Sequence, residues 1–259
     1  LDIGTGKDLD EYQVNGNLIK YHLIDIIKPS VNYSVYNFRK DCIQSIQKII
    51  KNNKVPIICG GTGLYIESIL RNYSIPKVPP NLKLRNELSK KSLNELQSIY
   101  NSYLEKNINQ VFDTKRRLIR AIEILKHKKL NNLEKNNVNL ANLNFITFGI
   151  KVERLENRRR ITDRLKFRMK NGLIEEVEFL LNNHLTYERL DYFGLEYKFI
   201  GKYLKKEIEY DKMLEKLNIA IHQFSKRQGT FFRHMEKHGV KIHWIEKPYI
   251  KKIIKILEN

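Results

Sequence analysis

The sequence predicts an α/β protein: a parallel sheet, a helical insertion and a helical C-terminal region. Three observations carry that class. A helix-patterned stretch over 34–53 feeds a short apolar run, Val55-Pro56-Ile57-Ile58-Cys59, which feeds a second helical stretch from Leu64 to Arg71. Helix, strand, helix is the order of a parallel sheet. Pro76, Pro79 and Pro80 then break the chain, and 82–130 carries the spacing of three helices without a strand. Asn144 to Val152 alternates as a strand and returns the chain to the sheet. Residues 77–142 are thus expected to be the insertion, and 1–76 with 143–259 the α/β core and its C-terminal helices.

Taken in order, the chain opens with a glycine turn (Gly4 to Lys7) and an Asn15-Gly16 turn. A short strand is expected from Ile19 to Ile27, ended by Lys28-Pro29-Ser30. Ser34 caps a helix to about Asn53, with Val35, Phe38, Cys42, Ile46, Ile49 and Ile50 on one face. Val55 to Cys59 reads as a buried strand closed by glycines. Gly60, Gly61 and Gly63 let the backbone turn tightly and approach a ligand, Thr62 adds a hydroxyl, and the following helix aims its N-terminus at the same point. The same glycines also suit a plain strand-to-helix connection, and spacing alone does not choose. After an Asn-rich loop over 131–142 and the returning strand, helices are expected at 154–170, 173–183, 195–205 and 211–236. A strand from Lys241 to Ile245 and a helix from Tyr249 to Leu257 finish the chain.

Composition narrows the class. The 259 residues fit one large domain or two modest ones, and 41% hydrophobic content excludes a disordered chain. No apolar run approaches the length that spans a bilayer, so no membrane partner is expected. The chain begins at Leu1 with no signal-like segment, and its true N-terminus is expected to lie upstream. Two cysteines, Cys42 and Cys59, exclude a disulfide framework, lack metal-ligand spacing and fit a reducing cytoplasm. Net charge is +19. A general bias toward lysine at surface positions is the plain alternative; a polyanionic partner, nucleic acid first, is the sharper reading.

Two basic clusters stand out. Arg154, Arg158, Arg159, Arg160, Arg164 and Arg168 lie on one segment, with 160, 164 and 168 on one helix face. A solvated basic face is the plain alternative, but arginine chosen over lysine in a lysine-rich chain favours bidentate phosphate contacts. Lys226-Arg227-Gln228 runs into Phe231-Phe232-Arg233, whose aromatics fill core more often than they stack on bases. His234 and His238 are one turn apart, a spacing metals use, but no third ligand accompanies them and no metal site is assigned. No Ser/His/Asp or Cys/His arrangement is present.

These residues together resemble the tRNA dimethylallyltransferase (isopentenyltransferase) family. The likeness runs in order through Leu1 to Lys7, Tyr21-His22-Leu23-Ile24-Asp25-Ile26, Pro29-Ser30, Tyr33-Ser34, Phe38-Arg39, Asp41 and Gly60-Gly61-Thr62-Gly63-Leu64-Tyr65. It continues through Arg117 to Glu123, Gly172 to Val177 and Lys226-Arg227-Gln228 with Phe232-Arg233. It implies a P-loop NTPase-like core and transfer of a dimethylallyl group from dimethylallyl diphosphate, with Mg2+, to N6 of the adenosine just 3′ of the anticodon. The adenine would be flipped out to meet the donor. Matched motif by motif, Thr62 would line the reaction channel, and Arg164, with Arg160 beside it, would hold the diphosphate. Arg85, Arg116, Arg117, Leu118, Ile119, Arg120, Gly194, Tyr197, Lys198, Lys226, Arg227 and Gln228 would contact the tRNA anticodon stem-loop. Gly194-Leu195-Glu196-Tyr197 departs from the family's commoner Gly-Tyr pair. The family's glycine-rich phosphate loop and Asp-Ser-x-Gln-x-Tyr motif belong upstream of Leu1, and Gly4-Thr5-Gly6-Lys7 follows no strand and does not replace them. A monomer is expected, able to bind tRNA but inactive in transfer without that segment. The alternatives are a non-catalytic RNA-binding relic and a P-loop small-molecule kinase relative.

Overall fold

In the computed structural model of the protein, residues 1–104, 112, 114–130, 143–247 and 249–258 are described. The chain forms two compact units: residues 1–71 with 142–259, and residues 72–141. The architecture is helix-rich α/β with a small parallel sheet. The Asn-rich loop read over 131–142 lies outside the described residues.

The first unit opens with a hairpin of β1 (Gln13–Val14) and β2 (Asn17–Leu18). Asn15 and Gly16 turn it with φ of 51° and 76°, the left-handed pair that a two-residue hairpin needs. No strand forms over 19–27. Leu23 and Asp25 take φ of 63° and 53°, outside the extended region, so that segment cannot run as a ladder. Helix α1 (Val35–Lys51) starts at Ser34, which exchanges side-chain and backbone bonds with Asn37 in a capping box. It buries Cys42, Ile43 and Ile46, three members of one face.

The run 55–59 is not a strand either, which corrects the reading of a buried sheet element. Val55 and Ile57 are 84% and 80% exposed. An apolar run favours extended backbone, but a strand exists only where a neighbour supplies hydrogen-bond partners, and among the described residues none does. Helix α2 (Gly63–Leu70) follows directly.

The parallel pair consists of β3 (Thr147–Ile150) and β4 (Ile242–Ile245), in register Phe148 to His243 and Ile150 to Ile245. Between them run α6 (Arg154–Lys170), α7 (Leu173–Asn182), α8 (Tyr187–Phe193), α9 (Leu195–Leu204) and the long α10 (Tyr210–Lys237). Their core gathers Leu165, Leu173, Val177, Leu190, Tyr197, Ile200, Met213 and Leu217. Helix α11 (Tyr249–Leu257) ends the chain.

The second unit packs α3 (Leu82–Ser89), α4 (Leu93–Ser102) and α5 (Lys115–Leu130) around Leu84, Leu88, Leu96, Tyr100, Leu118 and Ile122. Asn81 caps α3 through the Leu84 N–H at 3.0 Å, and Ser92 with Glu95 forms a capping box on α4. Among the described residues no helix is long and apolar enough to cross a membrane.

Candidate functional site

In the first unit the glycine turn is pinned to α10. Gln228 Nε2 donates to the Gly61 carbonyl at 3.0 Å. The Phe231 ring lies so close to Gly63 that a Cβ there would sit 2.2 Å from Cδ1. Gly63 is thus required by close approach, and Phe231 is a packing residue. Thr62 is the N-cap of α2, exposed, and its hydroxyl makes no capping hydrogen bond. The first N–H groups of α2 and that hydroxyl together present hydrogen-bond donors at one point.

Helix α6 lies antiparallel along α10 through a polar seam. Asn157 Nδ2 donates to Ser225 Oγ at 3.0 Å, and Thr162 Oγ1 contacts Asn218 Oδ1 at 3.1 Å and His222 Nε2 at 3.2 Å. Burial lowers the His222 pKa, and the Arg158 charge adds to it. The arginine row divides by partner. Arg160 Nε donates to Glu156 at 2.6 Å, and Arg168 lies 3.7 Å from Glu196. Arg164 is exposed, and among the described residues no hydrogen-bond or ion-pair partner engages its side chain. It sits two turns, about 10 Å along α6, from Asn157.

Other sequence-assigned positions fall differently. Tyr197 is 1% exposed in the core, its hydroxyl donating to Glu176 Oε1 at 3.2 Å. Burial, then the Glu176 carboxylate, raises its pKa. Its side chain cannot meet RNA, a correction to that assignment. Gly194 joins α8 to α9 with φ of 138°, and Lys198 is half-buried on α9. Gln228 is spent on Gly61, whereas Lys226 and Arg227 beside it are exposed, Arg227 lying 6.0 Å from the Phe224 ring. Glu176 also accepts from the Asp2 N–H at 2.5 Å and the Gly4 N–H at 2.9 Å. It anchors the first loop, a role nothing in the local pattern announced.

In the second unit, Arg116 and Arg117 are exposed on the first turn of α5. Leu118 is 1% exposed in the core, and Ile119 packs against the same cluster. A tRNA contact by the Leu118 side chain is therefore withdrawn: helical spacing turns it inward between outward arginines. Arg85 and Arg120 meet at one buried carboxylate. Arg85 donates through Nε to Glu123 Oε1 at 2.9 Å and through Nη2 to Oε2 at 2.7 Å. Arg120 donates to Glu123 Oε2 and to the Val78 carbonyl at 2.9 Å. The Asn81 N–H donates to Oε1 at 2.6 Å. Burial pushes the Glu123 pKa up, but the bonds from Arg85, Asn81 and Arg120 outweigh it and hold the group below its ordinary value.

Among the described residues no group of three or more His, Cys, Asp or Glu side chains could hold a metal ion. The IPP transferase family model matches residues 1–235. The chain belongs to the IPP transferase family. It is 46% identical over 250 residues to tRNA dimethylallyltransferase 1 of Azobacteroides pseudotrichonymphae, covering 95% of this chain and 80% of that protein. It is 40% identical over 264 residues to tRNA dimethylallyltransferase 2 of Phocaeicola vulgatus, covering 100% of this chain and 85% of the relative. The fold resembles the crystal structure of the tRNA isopentenylpyrophosphate transferase of Bacillus halodurans, with a TM-score of 0.63 at 24% identity. That likeness spans 97% of this chain and 81% of the other.

Proposed function

We propose that this IPP transferase family member transfers a dimethylallyl group from dimethylallyl diphosphate to tRNA, at N6 of the adenosine 3′-adjacent to the anticodon. The observation that carries the reading is the family match over 1–235, which contains both the pinned Thr62 turn and the arginine row. In the reaction the N6 nitrogen attacks C1 of the prenyl group. The C1–O bond breaks with its electron pair leaving on the diphosphate, and N6 gives up a proton to a base. Arg164, which has no carboxylate partner among the described residues, would receive the charge that grows on the leaving diphosphate. Thr62 would line the channel into which the adenine is flipped. A P-loop NTPase-like core belongs to the same reading, as do a monomeric state and a cytoplasmic location.

The described residues do not fit a dedicated Mg2+ cage, because they offer no carboxylate cluster. Magnesium commonly rides on phosphate oxygens with few protein ligands, so Mg2+ is proposed to arrive with the diphosphate. The tRNA surface is proposed to be Arg85, Arg116, Arg117 and Arg120 in the second unit, with Lys226, Arg227 and Lys198 in the first. The test is direct: incubate a form of the protein that includes the family's glycine-rich phosphate loop, the form in which all transfer rates below are measured, with dimethylallyl diphosphate, magnesium and unmodified tRNA, and assay for N6-prenylated adenosine. Its appearance supports the reading; tRNA binding without product returns the chain to the binding-protein class.

A further inference from the structure

The cluster at Glu123 is costly as a stabilising device. Taking a carboxylate and two guanidinium groups out of water is repaid only when the bonding is near complete, and apolar side chains of similar volume often stabilise as well. Glu123 is nevertheless 2% exposed, while the Arg85 and Arg120 side chains keep 38% and 35% of their surface. Each guanidinium has five N–H donors. Arg85 spends donors on Nε and Nη2, and Arg120 on Nη1 and Nη2, so both retain N–H groups for a ligand. The charges sum to one net positive, and Glu123, Asn81, Lys126 and His127 line one cleft of about 480 Å³.

From this geometry we infer that Glu123 is a positioning residue for tRNA: its carboxylate locks the Arg85 and Arg120 forks in one orientation so that their remaining donors meet backbone phosphates already ordered. The inference rests on the proposed tRNA reading of those two arginines. An untethered arginine must be immobilised on binding, at an entropic cost that the clamp removes in advance. Glutamine in place of Glu123 keeps the shape but loses the charge and turns one acceptor into a donor facing a guanidinium.

The test is a set of tRNA-binding titrations on the 259-residue chain at one salt concentration, with thermal melts as a folding control. E123Q is expected to weaken binding by about tenfold, and R85K, which keeps the charge but not the fork, by a similar factor. R85A/R120A should weaken it further, and E123Q added to R85A/R120A should change nothing more. In turnover the E123Q defect should appear in KM for tRNA, with KM for dimethylallyl diphosphate at the parent value, a split that a loosened fold would not give. R85K at parent affinity overturns the inference even if E123Q fails to fold. An E123Q loss that persists in the R85A/R120A background overturns it too, since Glu123 would then act through the fold. Parent affinity in R85A/R120A itself instead defeats the tRNA reading of these arginines.

Discussion

Gln228 and Gly61 lie 167 residues apart in sequence and 3.0 Å apart in space, joined by a side-chain amide donating to a backbone carbonyl. The bond fixes the turn that carries Thr62 to a helix 28 residues long. A glycine turn has little stiffness of its own, so the orientation of the Thr62 hydroxyl is borrowed from α10.

Q228A is therefore expected to reduce prenyl transfer roughly tenfold or more through misplacement of Thr62, with a stability loss of about 1 kcal/mol. Steady-state kinetics decide the role: a rise in KM for tRNA with unchanged kcat would make Gln228 an RNA contact after all.

G63A should destabilise the first unit by about 1–3 kcal/mol, because the added methyl meets the Phe231 ring. F231L, which shortens the obstructing ring, should recover part of the loss when combined with it. Urea denaturation of the single and double variants measures both, and additive losses would refute the clash.

R164A is expected to lower transfer by roughly 10²–10³-fold, the scale of removing one donor from developing charge. Its tRNA affinity should stay within about twofold of the parent. Filter binding beside a turnover assay separates the two, and lost binding with normal turnover would reverse the assignment.

Replacing Arg116 and Arg117 together by alanine should reduce the slope of log K against log salt by about 0.7–0.9 for each phosphate that the variant no longer neutralises. Arg120 also holds Glu123, so its removal would mix binding with structure. An unchanged slope would mean that this turn of α5 does not touch the nucleic acid.

The Glu123 carboxyl is held below its ordinary value of 4.5. The stability it contributes is fully present above that pH and is lost as pH falls through the lowered folded-state value. Acid titration of thermal stability should show this loss below about pH 4.5, and E123Q should flatten that limb while lowering the plateau at neutral pH.

Much of the helical fabric was legible because its signals are local. Ser34 marked the start of α1, Asn15-Gly16 marked the hairpin turn, and the arginine spacing agreed with a helix at α6. The run from Val55 to Cys59 misled because an apolar stretch encodes a preference for extended backbone, whereas a strand is a property of two chains side by side. Helix α8, seven residues between Thr186 and Gly194, is too short to show two turns of periodicity. Arg164 and Thr62 are named from motif order alone. The duties of Glu123 and Glu176 could not be named so, because each is defined by partners tens to more than a hundred residues away.

Helix α10 also works as a ruler. Asn218 and His222 meet Thr162, Ser225 meets Asn157, Gln228 holds Gly61 and Phe231 covers Gly63, so five marks along one rod set the spacing between α6 and the glycine turn. A rod of this kind has no fine adjustment. Inserting or deleting one residue between Ser225 and Gln228 turns everything beyond it by about 100°, and the next position with the same facing is a full turn, about 5.4 Å, away. The spacing between arginine row and glycine turn is therefore stepped, not continuous.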